Sequence, residues 1–194
     1  MVGIRKFDEE KVLNIAINVF SKKGFNATTM LDLAKETGVQ RGSLYNAYQN
    51  KNVLFFKAFS YYTDNFLKFI EDELQDSDAE KAFTQLFKTI ANRLCSDQEE
   101  KGCFSTRAIM EAAQKCPDIH VCLTRFLDGL EVIIKMRLEQ AIKDQQFIGN
   151  AQSTARYLVA LTRGIAVIER VYHDNARMTE ICQTALSFMP FKKV

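Results

Sequence analysis

The chain has 194 residues, 47% hydrophobic and 26% charged, enough for one domain or two small ones around a sizeable core and too apolar for wholesale disorder. Two prolines and eight glycines are too few breakers for a sandwich or Greek-key fold, which needs a turn signal every ~8–12 residues. The formal net charge of +2 excludes little as a total.

No apolar run approaches the ~18 residues of a membrane span, and the polar start Met1–Glu10 lacks the apolar core of a signal peptide. A cytoplasmic protein without membrane association is expected. Five cysteines without a CxxC pair indicate neither a disulfide framework nor a zinc knuckle. Cys116 and His120 are four apart, but Cys122 points elsewhere on a helix and no fourth ligand is evident, so no metal or other cofactor is expected.

The periodicity is helical throughout and predicts an all-α fold of about nine helices. The first runs from Asp8 to Lys23, with Val12, Ile15, Ala16, Val19 and Phe20 on one face. Acidic residues open it, Lys22 and Lys23 close it, and Gly24 supplies a left-handed stop. A short helix follows with Thr28 as a good N-cap, ending at Thr37-Gly38. A second short helix spans Arg41–Tyr48, and Asn50 can cap a long helix from Lys51 to Leu74. Longer helices are expected over 78–96, 104–115, 117–146, 151–173 and 176–189. Pro117 fits a first turn, and Gly149-Asn150 and Asp174-Asn175 mark turns. No strand-like alternation is sustained.

Two short helices about a turn containing Gly38 form a helix-turn-helix, in which the first braces the second against the major groove. The residues around it are specific: Gly24-Phe25, Thr28-Thr29, Asp32-Leu33-Ala34, Gly38-Val39, Gly42-Ser43-Leu44-Tyr45, and Lys51 with Leu54. Over roughly the first quarter of the chain this closely resembles the TetR family of bacterial transcriptional regulators, of the TetR/AcrR type. Lys101-Gly102-Cys103-Phe104, ahead of a helix with Glu111, is a shorter match to a Gly-Cys-Leu-Leu pattern in one subgroup.

The resemblance implies a helix-turn-helix DNA-binding domain over 1–57 and an effector-binding and dimerisation domain over 58–194. It implies a homodimer that grips a palindromic double-stranded operator, most often as a repressor, and releases it when a small molecule binds. Thr29 and Tyr45 take the family's phosphate-contacting roles, Lys51 matches the lysine opening the fourth helix, and Thr28 and Ser43 lie beside the backbone contacts. Gln40, Arg41, Gly42 and Asn46 fall at base-reading positions. Arg41 can take guanine O6 and N7 bidentately, and Gln40 or Asn46 can read adenine. Two departures stand out: Gln40 replaces a Ser or Thr cap, and Asn46-Ala47 replaces a bulkier pair. Residue by residue, Tyr45 packing on the first helix and Arg41 as a solvated charge remain the plain alternatives.

Fifteen phenylalanines, concentrated on the middle helices, suggest a largely apolar effector pocket walled by Tyr62, Phe66, Phe69, Phe83, Phe87, Phe104, Met110 and Phe126, with Arg107 and Glu111 as polar anchors. Residue by residue, a stripe of aromatics at helical spacing is usually the pattern of a core. Cys103 stands where a helix start would lower a thiol's pKa; it is either a redox or electrophile sensor or a small buried residue. Helix 151–173 is apolar on two faces, and Tyr157, Leu161, Ile165 and Ile168, with Ile181 and Leu186 of the last helix, are candidates for dimerisation. Ala160 and Gly164 permit close approach.

No HExxH, GxSxG, P-loop or Rossmann fingerprint is present, so an enzyme on a helical scaffold is disfavoured. A helical interaction module without DNA binding is the other alternative. Residues 1–57 hold nine Lys/Arg against five Asp/Glu, a net of +4, and residues 58–194 seventeen against nineteen, a net of −2. The positive share lies on the segment expected to meet phosphate.

Overall fold

The computed structural model describes residues 7–96, 104–112 and 117–192. Among them are nine helices: α1 (Glu9–Ala27), α2 (Met30–Thr37), α3 (Arg41–Tyr48), α4 (Lys51–Glu73), α5 (Ala79–Ser96), α6 (Phe104–Ala112), α7 (Pro117–Lys143), α8 (Ala151–Tyr172) and α9 (Asn175–Ser187). Phe147 and Phe191 form an isolated antiparallel bridge. The described residues fall into two compact units, the first within Met1–Asn65 and Glu100–Thr124, the second within Phe66–Glu99 and Arg125–Val194.

The element boundaries follow local chemistry. Asp8 caps α1 by accepting from the Lys11 N–H. At Gly24 the backbone takes φ +79° and ψ 167°, as the glycine signal predicts, but the chain then resumes helix to Ala27, so α1 is two helical pieces across a bend. The cap of α2 is Thr29, one residue later than expected. Its hydroxyl accepts from the Asp32 N–H at 3.1 Å while the Asp32 carboxylate accepts from the Thr29 N–H at 2.9 Å, a complete capping box. Gly38 ends α2 in the left-handed conformation at φ +69°. Asn50 caps α4 by accepting from the Val53 N–H.

The core of the first unit joins Val12, Ala16, Val19 and Phe20 of α1 to Leu33, Leu44, Tyr48, Leu54, Phe55 and Phe59. Phe104 and Ala108 of α6, with Ile119 and Leu123 of α7, belong to the same core. Phe55 lies at its centre, edge-on to Phe20 and Phe25 at 4.9 Å and to Phe104 at 5.6 Å. Each such buried phenylalanine contributes about 1.5–3 kcal/mol by area removed from water, and the edge-on ring pairs add to it.

The second unit has its own core. Phe83, Leu86 and Phe87 of α5 meet Phe126, Leu130, Ile134 and Leu138 of α7, Leu158 and Ile165 of α8, and Met178 and Cys182 of α9. Burial pushes the Cys182 thiol up to about 11, so it stays protonated and packs as a small apolar group. Arg137 holds the turn after α4, donating to the carbonyls of Leu74, Asp76 and Ser77. Gln146 closes the same turn by donating to Ser77 and accepting from the Ala79 N–H.

Candidate nucleic-acid interface

The helix-turn-helix comprises α2, a turn through Gly38-Val39-Gln40, and α3. Leu33 and Leu44 are fully buried, which fixes α3 against the core and leaves its other face outward. On that face Gln40, Arg41, Gly42, Tyr45 and Asn46 are exposed and Ser43 is half-buried. Gln40 stands at the N-cap without a side-chain capping bond, so its amide remains available outward, as its departure from Ser or Thr suggests. The Arg41 guanidinium lies over the Tyr45 ring, 5.4 Å from its centroid. Stacking on a ring reduces the freedom an arginine must lose when it binds a base edge. A Cβ at Gly42 would meet nothing within 4 Å, so the glycine leaves a bare patch of backbone between the two.

Thr29 is exposed at the N-terminus of α2, where unpaired N–H groups and the helix dipole attract an anion. Lys23 crosses to Asp32 at 2.6 Å, and this ammonium together with the Thr29 hydrogen bonds holds the Asp32 carboxyl far below its usual range. Thr28, also expected at the interface, is instead buried; its hydroxyl donates to the Gly24 carbonyl at 2.6 Å and braces the bend of α1. Adjacent threonines at a helix start can each serve as cap, and burial of Thr28 decides between them.

Lys51 opens α4 as predicted, half-buried. Its Nζ donates to the Phe25 carbonyl at 2.7 Å and lies 4.5 Å from the Phe25 ring centroid. Burial lowers its pKa. An ammonium has three donors, so this anchoring leaves capacity for a phosphate oxygen.

Two residues expected as ligand anchors lie in this unit with a different task. Arg107 donates to the Ser21 and Lys22 carbonyls at 2.9 and 2.7 Å and pairs with Glu111 at 2.7 Å. Glu111 accepts from the Phe25 N–H at 3.0 Å. The remaining pocket residues are divided. Tyr62 and Phe104 meet edge-on in the first unit at 5.3 Å, and Met110 is 71% exposed. In the second unit Phe66 meets Phe126 at 5.8 Å and Phe69 at 5.9 Å, while Phe83 and Phe87 are fully buried in its core. The second unit also carries an open hollow of about 860 Å³, lined by Asp72, Glu73, Asp76, Glu80 and Lys81 and by none of those aromatics. Cys103 lies outside the described residues, as do Lys101, Gly102 and Cys116.

The dimerisation candidates also separate. Ile165 is buried in the core of its own unit, and Leu161, Ile181 and Leu186 pack against that core. Tyr157 and Ile168 remain exposed, together with Val167, Val171, Tyr172 and Phe188. The two apolar faces of α8 are legible in the sequence, but which of them the chain keeps for itself is decided by packing. Ala160 is exposed on the outer face, and a Cβ at Gly164 would meet nothing within 4 Å.

Among the described residues no three His, Cys, Asp or Glu side chains gather as a metal site, and no helix is long and apolar enough to cross a membrane.

The profile of bacterial regulatory proteins, tetR family, matches residues 12–58, the segment that holds α2, the turn, α3 and the start of α4. Over those residues the chain carries the DNA-binding domain of the TetR family. It is a helix-turn-helix transcriptional regulator. Among curated relatives, the HTH-type transcriptional repressor ComR of Escherichia coli (strain K12) is 25% identical over 95% of this chain and 90% of its own length. The uncharacterised HTH-type regulator YezE of Bacillus subtilis (strain 168) is 27% identical over 95% and 97%. The TetR-family regulator CifR, solved as a cysteine mutant complexed with 26-bp double-strand operator DNA, superposes with a TM-score of 0.87 at 20% identity, covering 97% of this chain and 100% of that one. Reduced E. coli NemR superposes equally well, at 0.87 with 15% identity over 96% and 98%.

Proposed function

We propose that the protein is a cytoplasmic homodimeric repressor that grips a palindromic operator and releases it when a small, largely apolar molecule binds within residues 58–194. The observation that carries this reading is the outward face of α3, where Arg41 rests on Tyr45 beside the capped, exposed start of α2. Residues 1–57 act as the DNA-binding part. Thr29, Tyr45 and Lys51 contact phosphates, and Arg41, with Gln40 and Asn46, reads bases. Gly42 permits close approach, and Ser43 lies near the backbone. The activity is binding rather than catalysis.

The outward stripe of α8, exposed at Tyr157, Ala160, Val167, Ile168 and Val171 and half-buried at Gly164, supports pairing with a second copy. Two recognition helices then enter successive major-groove faces about 34–36 Å apart. The repressor ComR and the operator complex of CifR support the sign and the target. A ligand acts only through different affinities for the gripping and released forms.

The test is binding of the dimer to the DNA upstream of its own coding region across a salt series. Affinity that falls steeply with salt and exceeds that for unrelated DNA is expected. No binding to any such fragment, with or without small molecules, would favour an interaction module instead.

A further inference from the structure

The bend of α1 at Gly24 breaks the regular ladder of backbone hydrogen bonds, and the groups beside the break need partners. Residues 85 and 86 positions away supply them. Arg107 takes the Ser21 and Lys22 carbonyls, Glu111 takes the Phe25 N–H, and the two side chains bond to each other. A lone arginine or carboxylate there would be half satisfied; as a pair on successive turns of α6 they satisfy each other and both sides of the break. Gly24 is cut to fit, because a Cβ would lie 2.7 Å from the Glu111 carboxyl carbon.

From this bend two bonds lead to the phosphate-contacting set. The Phe25 carbonyl, on the same residue whose N–H Glu111 holds, accepts the Lys51 ammonium, and the Phe25 ring lies beneath it. The Gly24 carbonyl accepts from Thr28, whose neighbour Thr29 caps α2. We infer that Arg107 and Glu111 are positioning residues for DNA binding: they hold the bend of α1 so that Lys51 and Thr29 stand at the spacing the phosphate backbone requires. The inference rests on the DNA-binding reading above.

The experiment compares wild type with Arg107→Ala, Glu111→Ala, Glu111→Gln and Arg107→Lys, each checked for full helicity, on operator DNA well below the melting temperature. Positioning predicts roughly tenfold weaker binding for the alanine variants and a salt slope shallower by about 0.9 per head, since one lysine–phosphate contact is lost from each. Arg107→Lys, which can still donate to a carbonyl and pair with Glu111, recovers part of both. Amide exchange at Phe25 accelerates in Glu111→Ala and less in Glu111→Gln, whose amide oxygen can still accept. A pair that only stabilises the fold would lower the melting temperature and leave the salt slope of the folded protein unchanged; that result overturns the inference while wild-type binding upholds the regulator. Wild type that binds no DNA at all overturns both.

Discussion

Gly24→Ala concentrates two costs at one position. With φ at +79° and ψ at 167°, the residue occupies a region essentially reserved for glycine, and forcing an alanine there costs about 1–3 kcal/mol. The new methyl would also lie 2.7 Å from the Glu111 carboxyl carbon, so the carboxylate must leave. Its departure breaks the bond to the Phe25 N–H, a hydrogen bond to a charged group worth about 1.5–3 kcal/mol, and loosens the pair with Arg107. Glu111 is about a quarter exposed, which sets the loss toward the lower end. The total is about 3–5 kcal/mol, read from urea unfolding at fixed protein concentration because dimerisation contributes to apparent stability. Glu111→Ala in the same background removes the obstacle but not the backbone strain. The double variant should therefore be less destabilised than the two single costs predict together. A loss under ~1 kcal/mol for Gly24→Ala would refute the strain and the close approach alike, and strict additivity in the double variant would refute the close approach.

Two further outcomes follow from particular contacts. Because Lys23 and Thr29 hold Asp32 well below its usual 3.8, the unfolded chain takes up this proton first as pH falls. The stabilisation is complete above about pH 4 and is lost as pH drops toward the folded value, so Asp32→Asn should flatten the acid limb of a stability–pH profile; an unchanged limb would mean the capping box contributes nothing. Gly164→Leu places a side chain into open space and improves helix propensity, so helicity and monomer fold should survive. Sedimentation should nevertheless show the dimer weakened, and an intact dimer would remove the α8 stripe from the interface.

The helices were legible because their apolar residues keep a 3.6 period and their ends carry glycine, asparagine and proline at the right places. The bounds of α3 agree with expectation to the residue, from Arg41 to Tyr48. The recognition motif was legible because exposed residues there keep identities that packing does not require, such as Arg41 and Tyr45. What stayed hidden depends on distant parts of the chain. Nothing near Arg107 signals that it serves carbonyls 85 and 86 residues earlier, and i, i+4 spacing with Glu111 fits a ligand anchor as well as a latch. Thr28 and Thr29 have equal capping chemistry until burial separates them. On α8, alternating apolar faces announce two burials, but Ile165 and Ile168 differ only in which side meets the core of their own unit. The aromatic set mixes residues of two units because side-chain type alone carries no address.

Selection of preferred sites from random double-stranded DNA, by wild type and Arg41→Ala side by side, tests the recognition surface most directly. Wild type should enrich an inverted repeat with half-sites about one helical turn apart and a guanine at a fixed place in each. Arg41→Ala should keep the spacing and lose the guanine, a preference worth about 1–3 kcal/mol per half-site. Enrichment of no inverted repeat, or an unchanged preference at every position in the variant, would contradict the assignment of α3 and Arg41 to base reading.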